Sequence, residues 1–334
     1  MTTFAIATLG CKVNTYESQG YESALLAKGY QQVSFKEKAD VYIINTCAVT
    51  NTAGSKSRQK IHQAKALNQN ALIAVVGCYV QTAKEQLEQQ EHVDILIGSD
   101  GKRTLADRIE KALQGEKQVN EIHDVRALRV FEALPIQHFE HQTRAFLKIQ
   151  DGCNQFCSYC IIPYARGAER SLPEDEVIKI AQDLCASGHQ EIVLSGIHTG
   201  RYGRDINTNL TQLMKRMCKE VKGLRRIRIS SIEMNEISDE LLTFMQKEPK
   251  IARHLHIPIQ SANNEVLKNM HRPYDVEWFK ERVKYIRSLM PDISISSDVI
   301  VGFPQESEEQ FVDTMENIKQ MELSFLHIFP YSRR

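Results

Sequence analysis

The chain has 334 residues, 42% apolar and 25% charged, and its 42 basic side chains balance 42 acidic ones to a net charge of zero. No apolar run approaches the ~20 residues that a membrane-spanning helix needs, and eight cysteines are too sparse for a disulfide scaffold. A polyanion would have to be met by local basic patches rather than by bulk charge, and reduced thiols in a cytoplasmic protein are expected.

The first half alternates short apolar runs with helical patterns. Phe4–Leu9, Val41–Thr46, Leu72–Gly77 and Ile95–Gly98 read as strands, and Glu17–Lys28 and Thr52–Leu67 as helices. This βαβ rhythm predicts a doubly wound parallel sheet over residues 1–114. Cys11, Cys47 and Cys78 each follow one of the first three strands. Loops after the carboxyl ends of parallel strands converge on one crevice, so the three thiols should meet. Three unrelated buried cysteines or a zinc site are the alternatives, and a [4Fe–4S] cube with one open iron suits a count of three better. Residues 115–143 read as a connector with a short strand or turn at Arg126–Phe131.

The rhythm restarts over residues 144–334, with strand-like runs at Ala145–Ile149, Glu191–Ser195, Ile227–Ser231, His254–Ile259, Ile293–Val301 and Phe325–Phe329. Pro173–Ala186 reads as an amphipathic helix capped near Gly188, and Cys185 and Cys218 read as packing residues. Six strands and their helices predict a partial, TIM-like (β/α)6 barrel, with its chemistry at the strand carboxyl ends. Cys153, Cys157 and Cys160 fall in the loop after its first strand. Three thiolates leave one iron of a cube open; half of a zinc site finished by His141 or His198 is the alternative. Arg166 and Arg170, just past the cysteines, could pair with a carboxylate. Polar or glycine residues stand at the other strand ends: Ser195-Gly196, Ser230-Ser231-Ile232-Glu233, Gln260-Ser261, and Val301-Gly302-Phe303. Lys215–Arg228 and Arg126–Arg129 are the basic patches, equally readable as solvated faces.

The Cys-x3-Cys-x2-Cys run resembles the signature of radical S-adenosylmethionine (SAM) enzymes. That resemblance implies an open iron that chelates SAM, and a cluster electron that splits SAM to a 5′-deoxyadenosyl radical. It also implies SAM contacts at Ser195, Gly196, Ser231, Glu233, Gln260, Arg170, Val301 and Phe303. Together with Leu9-Gly10-Cys11-Lys12-Val13-Asn14, Asn45-Thr46-Cys47-Ala48-Val49-Thr50-Asn51 and Gly77-Cys78, the run is similar to the methylthiotransferases over essentially the whole chain. Within that family the wording resembles the branch acting on N6-threonylcarbamoyladenosine (t6A) at tRNA position 37. The other branches read Gly-Cys-Gln-Met-Asn or Gly-Cys-Pro-Lys-Asn at the first motif.

The family resemblance implies two [4Fe–4S] clusters, on Cys11, Cys47 and Cys78 and on Cys153, Cys157 and Cys160. It further implies sulfur insertion at adenine C2 followed by S-methylation. The expected partners are tRNA carrying t6A and an electron donor such as flavodoxin or ferredoxin, with no membrane and no DNA. No catalytic residue beyond the cluster ligands is assigned. The sequence stops where the family's carboxyl-terminal TRAM β-barrel would follow, so that domain is expected to be absent. Leu172, Ala262 and Gln305 depart from residues usual in the family, Arg, Gly and Gly respectively. The alternatives are modification of an aspartate in ribosomal protein S12, or a non-catalytic iron–sulfur RNA-binding remnant.

Overall fold

The computed structural model describes residues 1–89, 92–116, 119–134, 136 and 143–333. The first half comprises β1 (Thr3–Thr8), α1 (Lys12–Ala27), β2 (Gln31–Gln32), β3 (Val41–Thr46), α2 (Asn51–Leu67), β4 (Leu72–Gly77), α3 (Cys78–Thr82), α4 (Lys84–Glu88), β5 (Ile95–Ile97), α5 (Leu105–Leu113) and β6 (Val119–Glu121). Its six strands form one parallel sheet in the order β2-β1-β3-β4-β5-β6. The central strands β3 and β4 are buried at every position, as a sheet covered on both faces requires, and this is why they read as unbroken apolar runs. The order reverses between β1 and β3, so the loops carrying Cys11 and Cys47 flank the switch point where such sheets open a crevice.

The second half comprises β7 (Ala145–Asp151), α6 (Ile162–Arg166), β8 (Arg170–Ser171), α7 (Glu174–Ala186), β9 (Glu191–Gly196), α8 (Leu210–Glu220), β10 (Arg226–Ile229), α9 (Asp239–Lys247), β11 (His254–His256), α10 (Asn264–Asn269), α11 (Val276–Leu289), β12 (Ser294–Val301), α12 (Glu308–Met321) and β13 (Phe325–Pro330). β7, β9 and β10 are parallel neighbours, as are β11, β12 and β13, and the bridge Ile227–Ile251 joins the two sets. Six parallel strands thus form an open barrel arc, and the short β8 runs antiparallel along β7. Side-chain caps start several of the helices: Asn209 for α8, Ser238 for α9, Asp275 for α11, and a full Ser307–Gln310 capping box for α12.

One apolar core runs through both halves, from Phe4, Tyr16 and Leu25 to Leu147, Val193 and Ile295, because α1 packs directly on β7 and β9. A second core fills the other face of the first sheet, around Tyr42, Ile44, Val75 and Val80. Cys185 and Cys218 pack against the shared core. Several details differ from the sequence reading. α1 begins at Lys12, well before Glu17, since buried Asn14, Glu17 and Ser18 interrupt its apolar stripe. The two- and three-residue strands β2, β6 and β8 are too short to leave a periodic signal. Of the strand or turn expected at Arg126–Phe131, the structure has the turn, a helical one at Val125–Ala127. Leu172 is a core residue, and Gln305 sits at φ 69°, the left-handed region that explains the usual glycine there. No helix among the described residues is long and apolar enough to cross a membrane.

The glycine before each of two cysteines is dictated by backbone. Gly10 and Gly77 have φ of 103° and 102°. A Cβ on Gly10 would lie 2.8 Å from the Cβ of Cys47, and one on Gly77 would lie 2.9 Å from the carbonyl oxygen of Thr46. These close approaches draw the three loops together. Gly77→Ala is expected to cost about 3 kcal/mol, at the upper end for a residue forced into a glycine-only conformation. Urea titration of wild type and variant checks it.

Candidate functional site

The first cysteine set is held by an asparagine clamp. The Asn14 amide nitrogen donates to the carbonyls of Leu9 (2.7 Å) and Thr46 (2.9 Å) and to the side-chain oxygen of Asn45 (3.2 Å). Asn45 in turn donates to the Asn14 carbonyl at 2.9 Å. Each asparagine belongs to a cysteine motif, so together they tie the Cys11 loop to the Cys47 loop. Thr50, ending the second motif, accepts the amide of Ala53 at 3.1 Å and starts α2. Cys47 and Cys78 are buried, and the Val49 amide points at the Cys47 sulfur at 3.4 Å. Desolvation raises the pKa of the Cys11 thiol, opposed by Arg166 and reinforced by Cys78. Burial likewise pushes Cys47 up to about 11, with Cys78 and Cys11 adding to the shift. The three sulfurs therefore lie within one another's fields, as the strand-end argument predicted.

The second set sits on the loop after β7. Cys160 donates its amide to the Cys157 carbonyl at 2.9 Å, closing a tight turn, and the Gln155 amide reaches the Cys153 sulfur at 3.4 Å. Burial pushes the Cys160 thiol up to about 12, helped by Cys157 and Cys153. A cavity of about 200 Å³ opens over these thiols, lined also by Tyr159, His198, Ser231, Glu233, Gln260 and Arg272. Gln260 adopts φ 71° in this wall, a strained conformation of the kind that collects at binding sites. Amides directed at sulfur and convergent thiols fit an iron–sulfur cube, whose properties depend on such hydrogen bonds.

His198 approaches Cys153 at 3.4 Å and Glu169 at 3.9 Å. Burial opposes its protonation, but Cys153 and Glu236 raise its pKa to about 10. Cys153, Glu169 and His198 thus converge, with one thiol of the run among them. His141 lies outside the described residues.

Ser231, Glu233 and Gln260 line the cavity, whereas other expected contacts do not. Arg170 is buried, donating to the carbonyls of Arg166 (3.0 Å) and Ala168 (2.7 Å) and pairing with Asp151 at 3.5 Å. Arg166 is spent on Glu17, Asp151 and Cys78. Ser195 is fully buried with its hydroxyl on the Val193 carbonyl. Gly196 packs on Gln150 and Thr199, Phe303 on Val266, Met270 and Tyr331, and Val301 on the main core. For the residues other than Gly196, side-chain direction decides the outcome, and position at a strand end does not report it.

The residue that the sequence reading missed is Arg272, in the loop between α10 and α11. Its guanidinium pairs with Glu233, donates to the Pro258 carbonyl at 3.0 Å and to Tyr274 at 2.6 Å, and reaches the Cys157 sulfur at 3.6 Å. An arginine beside Pro273 and Tyr274 in an interhelical loop is its only sequence signal. The basic patches are largely neutralised: Arg216 pairs with Glu174, Asp175 and Glu220, Lys215 with Glu240, and Arg126 with Asp124.

The two cysteine sets face each other. Ile161 and Ala165, just past Cys160, pack on Cys78 and Ala48. A second cavity of about 230 Å³ lies along this contact, lined by Val49 and Thr50 from the first half and by Cys160, Ile300, Asp298, Phe329 and Tyr331 from the second. It shares Tyr159, Cys160, Ile162 and Gln260 with the first cavity. Within the arc, His256, Asp298 and His327 converge, with His256 on Asp298 at 3.1 Å. Burial lowers the pKa of Lys12, and Arg144 and Arg228 lower it further, while Asp298 and Cys11 oppose. Burial, with Arg228, His256, Lys12 and Arg144, depresses His254 to about 4. Arg144 and Arg228 are themselves paired with Glu191, at 4.0 and 3.0 Å.

Residues 3–98 match the uncharacterized protein family UPF0004, and residues 147–318 match the radical SAM superfamily. The chain is 45% identical to the threonylcarbamoyladenosine tRNA methylthiotransferase MtaB of Bacillus subtilis (strain 168), over 100% of the chain and 74% of that protein. It is 40% identical to MtaB of Aquifex aeolicus (strain VF5), over 99% of the chain and 80% of that protein. Identity is 35% to a tRNA-2-methylthio-N(6)-dimethylallyladenosine synthase of Clostridium perfringens (strain SM101 / Type A), over 99% and 75% of the two chains. The fold resembles the radical SAM methyltransferase TsrM of Kitasatospora setae, with a TM-score of 0.69 at 11% identity, covering 98% of this chain and 72% of that one.

Arg272→Met would leave Glu233 unpaired beside the thiols. A loss of about 3 kcal/mol is expected for such a broken buried pair. The Arg272→Met/Glu233→Gln double variant should recover part of it, and a urea double-mutant cycle measures both.

Proposed function

The chain belongs to the radical SAM methylthiotransferases, and from that membership we propose that it methylthiolates t6A at position 37 of tRNA, giving 2-methylthio-t6A. The observation that carries the choice of t6A is the 45% and 40% identity to proteins named for that substrate, against 35% to one named for the dimethylallyl substrate. The threonyl side chain of t6A ends in a carboxylate, and Lys12, exposed and within the field of Asp298 of the second cavity, is a cation complementary to it. The relatives named for t6A agree with this reading.

In this reading Cys153, Cys157 and Cys160 hold one [4Fe–4S] cluster and Cys11, Cys47 and Cys78 a second. When bound, the first supplies the electron that cleaves SAM to a 5′-deoxyadenosyl radical. The chain's own residues do the rest of the positioning. Ser231, Glu233 and Gln260 contact SAM in the first cavity, with Arg272 holding Glu233 in place. Tyr159, Ile162 and Gln260 form the wall between SAM and substrate. Ile300, Phe329 and Tyr331 shield the second cavity from water, where a radical would otherwise be quenched. The Cys160 side of this cavity meets Val49 and Thr50 from the Cys47 loop, so the adenine ring lies between the two thiol sets. An electron donor such as flavodoxin or ferredoxin reduces the protein.

Anaerobic reconstitution should give about eight irons per chain, falling to about four in the Cys153/Cys157/Cys160→Ala variant, for two cubes of four irons each. Four or fewer in wild type, unchanged in the variant, would refute the radical reading. Mass spectrometry of nucleosides from treated tRNA then identifies the product. Lys12→Gln is expected to lower kcat/KM for t6A-tRNA by about tenfold, the size of one charged hydrogen bond, while leaving SAM cleavage without tRNA unchanged.

A further inference from the structure

Beneath the first cysteine set lies a group of charges with almost no solvent contact. Glu17 and Arg166 are fully buried, and Lys102, Lys148, Asp151 and Arg170 are 2–4% exposed. Glu17 receives Arg166 and Lys102, each at 2.7 Å, and Lys148 at 3.1 Å. Asp151 receives Lys148 at 2.7 Å, Arg166 at 3.4 Å and Arg170 at 3.5 Å. Two carboxylates thus face four cations. Glu132, at the margin, lies in the fields of Lys102 and Lys148, but burial raises its pKa. Counting Glu132 as fully ionised still sets four cations against three carboxylates, and burial, with Arg166 and Lys148 beside it, lowers the pKa of Lys102, as cations short of counter-charge should do.

An uncompensated charge in the interior is expensive. The arrangement therefore calls for an anion, and the geometry shows where it belongs. Arg166 Nε donates to the Cys78 sulfur at 3.2 Å, and Nη2 donates to Asn14 Oδ1 at 3.3 Å, the same oxygen that Cys11 Sγ approaches at 3.7 Å. The excess charge is thus delivered, through one side chain from the barrel half, onto the thiols of the other half.

We propose that Arg166, backed by Lys102 and Lys148, is the positioning counter-charge of the group on Cys11, Cys47 and Cys78, and sets that group's reduction potential. The proposal rests on the reading that these cysteines hold an iron–sulfur cluster. A cluster gains negative charge on reduction, so buried cations beside it favour the reduced form, and charge and hydrogen bonds to sulfur are among the factors that set such potentials. The network also spans both halves, with Glu17 and Lys102 from one and Lys148, Asp151 and Arg166 from the other. The charge around the cluster is therefore complete only when the halves are docked.

The test uses the full chain reconstituted with iron and sulfide, in a Cys153/Cys157/Cys160→Ala background, with the reduction potential followed by electron paramagnetic resonance. Arg166→Gln and Lys102→Met each remove a cation and are expected to lower the potential. Glu17→Gln removes a carboxylate and is expected to raise it, and Arg166→Lys should lie between wild type and Arg166→Gln. Opposite signs are the mark of charge, since a merely structural role would shift all variants one way or strip their iron alike. If Arg166→Gln fails to fold, Lys102→Met and Glu17→Gln decide alone. Unchanged potentials, or shifts of one sign, overturn the proposal. Cys78→Ala in the same background tests the underlying reading separately: iron retained at about four per chain would mean that these cysteines hold no cluster.

Discussion

The carboxylate of Glu17 is the point on which the two halves turn. It has no exposed surface, and burial alone would protonate it, yet Arg166, Lys102 and Lys148 hold it well below the usual carboxylate range. Two of its three partners, Arg166 and Lys148, come from the barrel half. Arg166 is the last residue of the short helix that follows Cys160, so the ion pair fixes that helix against α1. With the helix come Ile161 and Ala165, which pack on Cys78 and Ala48. The relative placement of the two thiol sets therefore follows from one buried carboxylate and the guanidinium that reaches it. An apolar pair of the same shape could pack as well, but would not prescribe which atoms meet.

The same interaction explains the spacing between the motifs. Asn14 and Glu17 are three residues apart on α1 and so project from one face; Asn14 clamps the Cys47 loop and Glu17 takes the arginine. The first motif thus continues past its last recognisable residue into the helix. Gly10 and Gly77 permit the close contact of backbone that brings the loops within reach of those side chains. Loop, helix and ion pair form a single device.

Much of this was legible in the sequence. The runs Val41–Thr46 and Leu72–Gly77 coincide with β3 and β4 because both faces of those strands are covered, so even Asn45 and Thr46 at the end of β3 are buried. The six barrel strands were located from their short apolar or β-branched runs, although β10 alternates and β13 is largely exposed. Convergence of Cys11, Cys47 and Cys78 was expected from their places after successive strands, and that of Cys153, Cys157 and Cys160 from their spacing in one loop; neither needed side-chain knowledge. What sequence did not convey was the direction of charged side chains. Arg166 and Arg170 stand just past Cys160 and so looked available to SAM, but the chain turns there and aims both inward. Arg272 arrives from a loop more than a hundred residues away in sequence, and only the tertiary fold brings it to Cys157. Glu17 was hidden for the converse reason, since a charged residue on a helix is read as its solvated face.

The two cavities bear on how one fold can conduct a radical reaction on a large nucleic acid. They share Tyr159, Cys160, Ile162 and Gln260, so a molecule in either touches the same wall. Gln260 is the informative member. Its backbone is left-handed, and the strain is tolerated because its amide donates to the Asp298 carbonyl at 2.9 Å and its carbonyl accepts the Ile300 amide at 2.8 Å. These bonds tie the wall to β12, the strand that also carries Asp298 into the second cavity. Shifting the wall would break ladder bonds of the barrel, so the separation between the two cavities is fixed by the sheet. Rigid placement of that kind is what a short-lived radical demands, because the reacting atoms must already be adjacent when it forms.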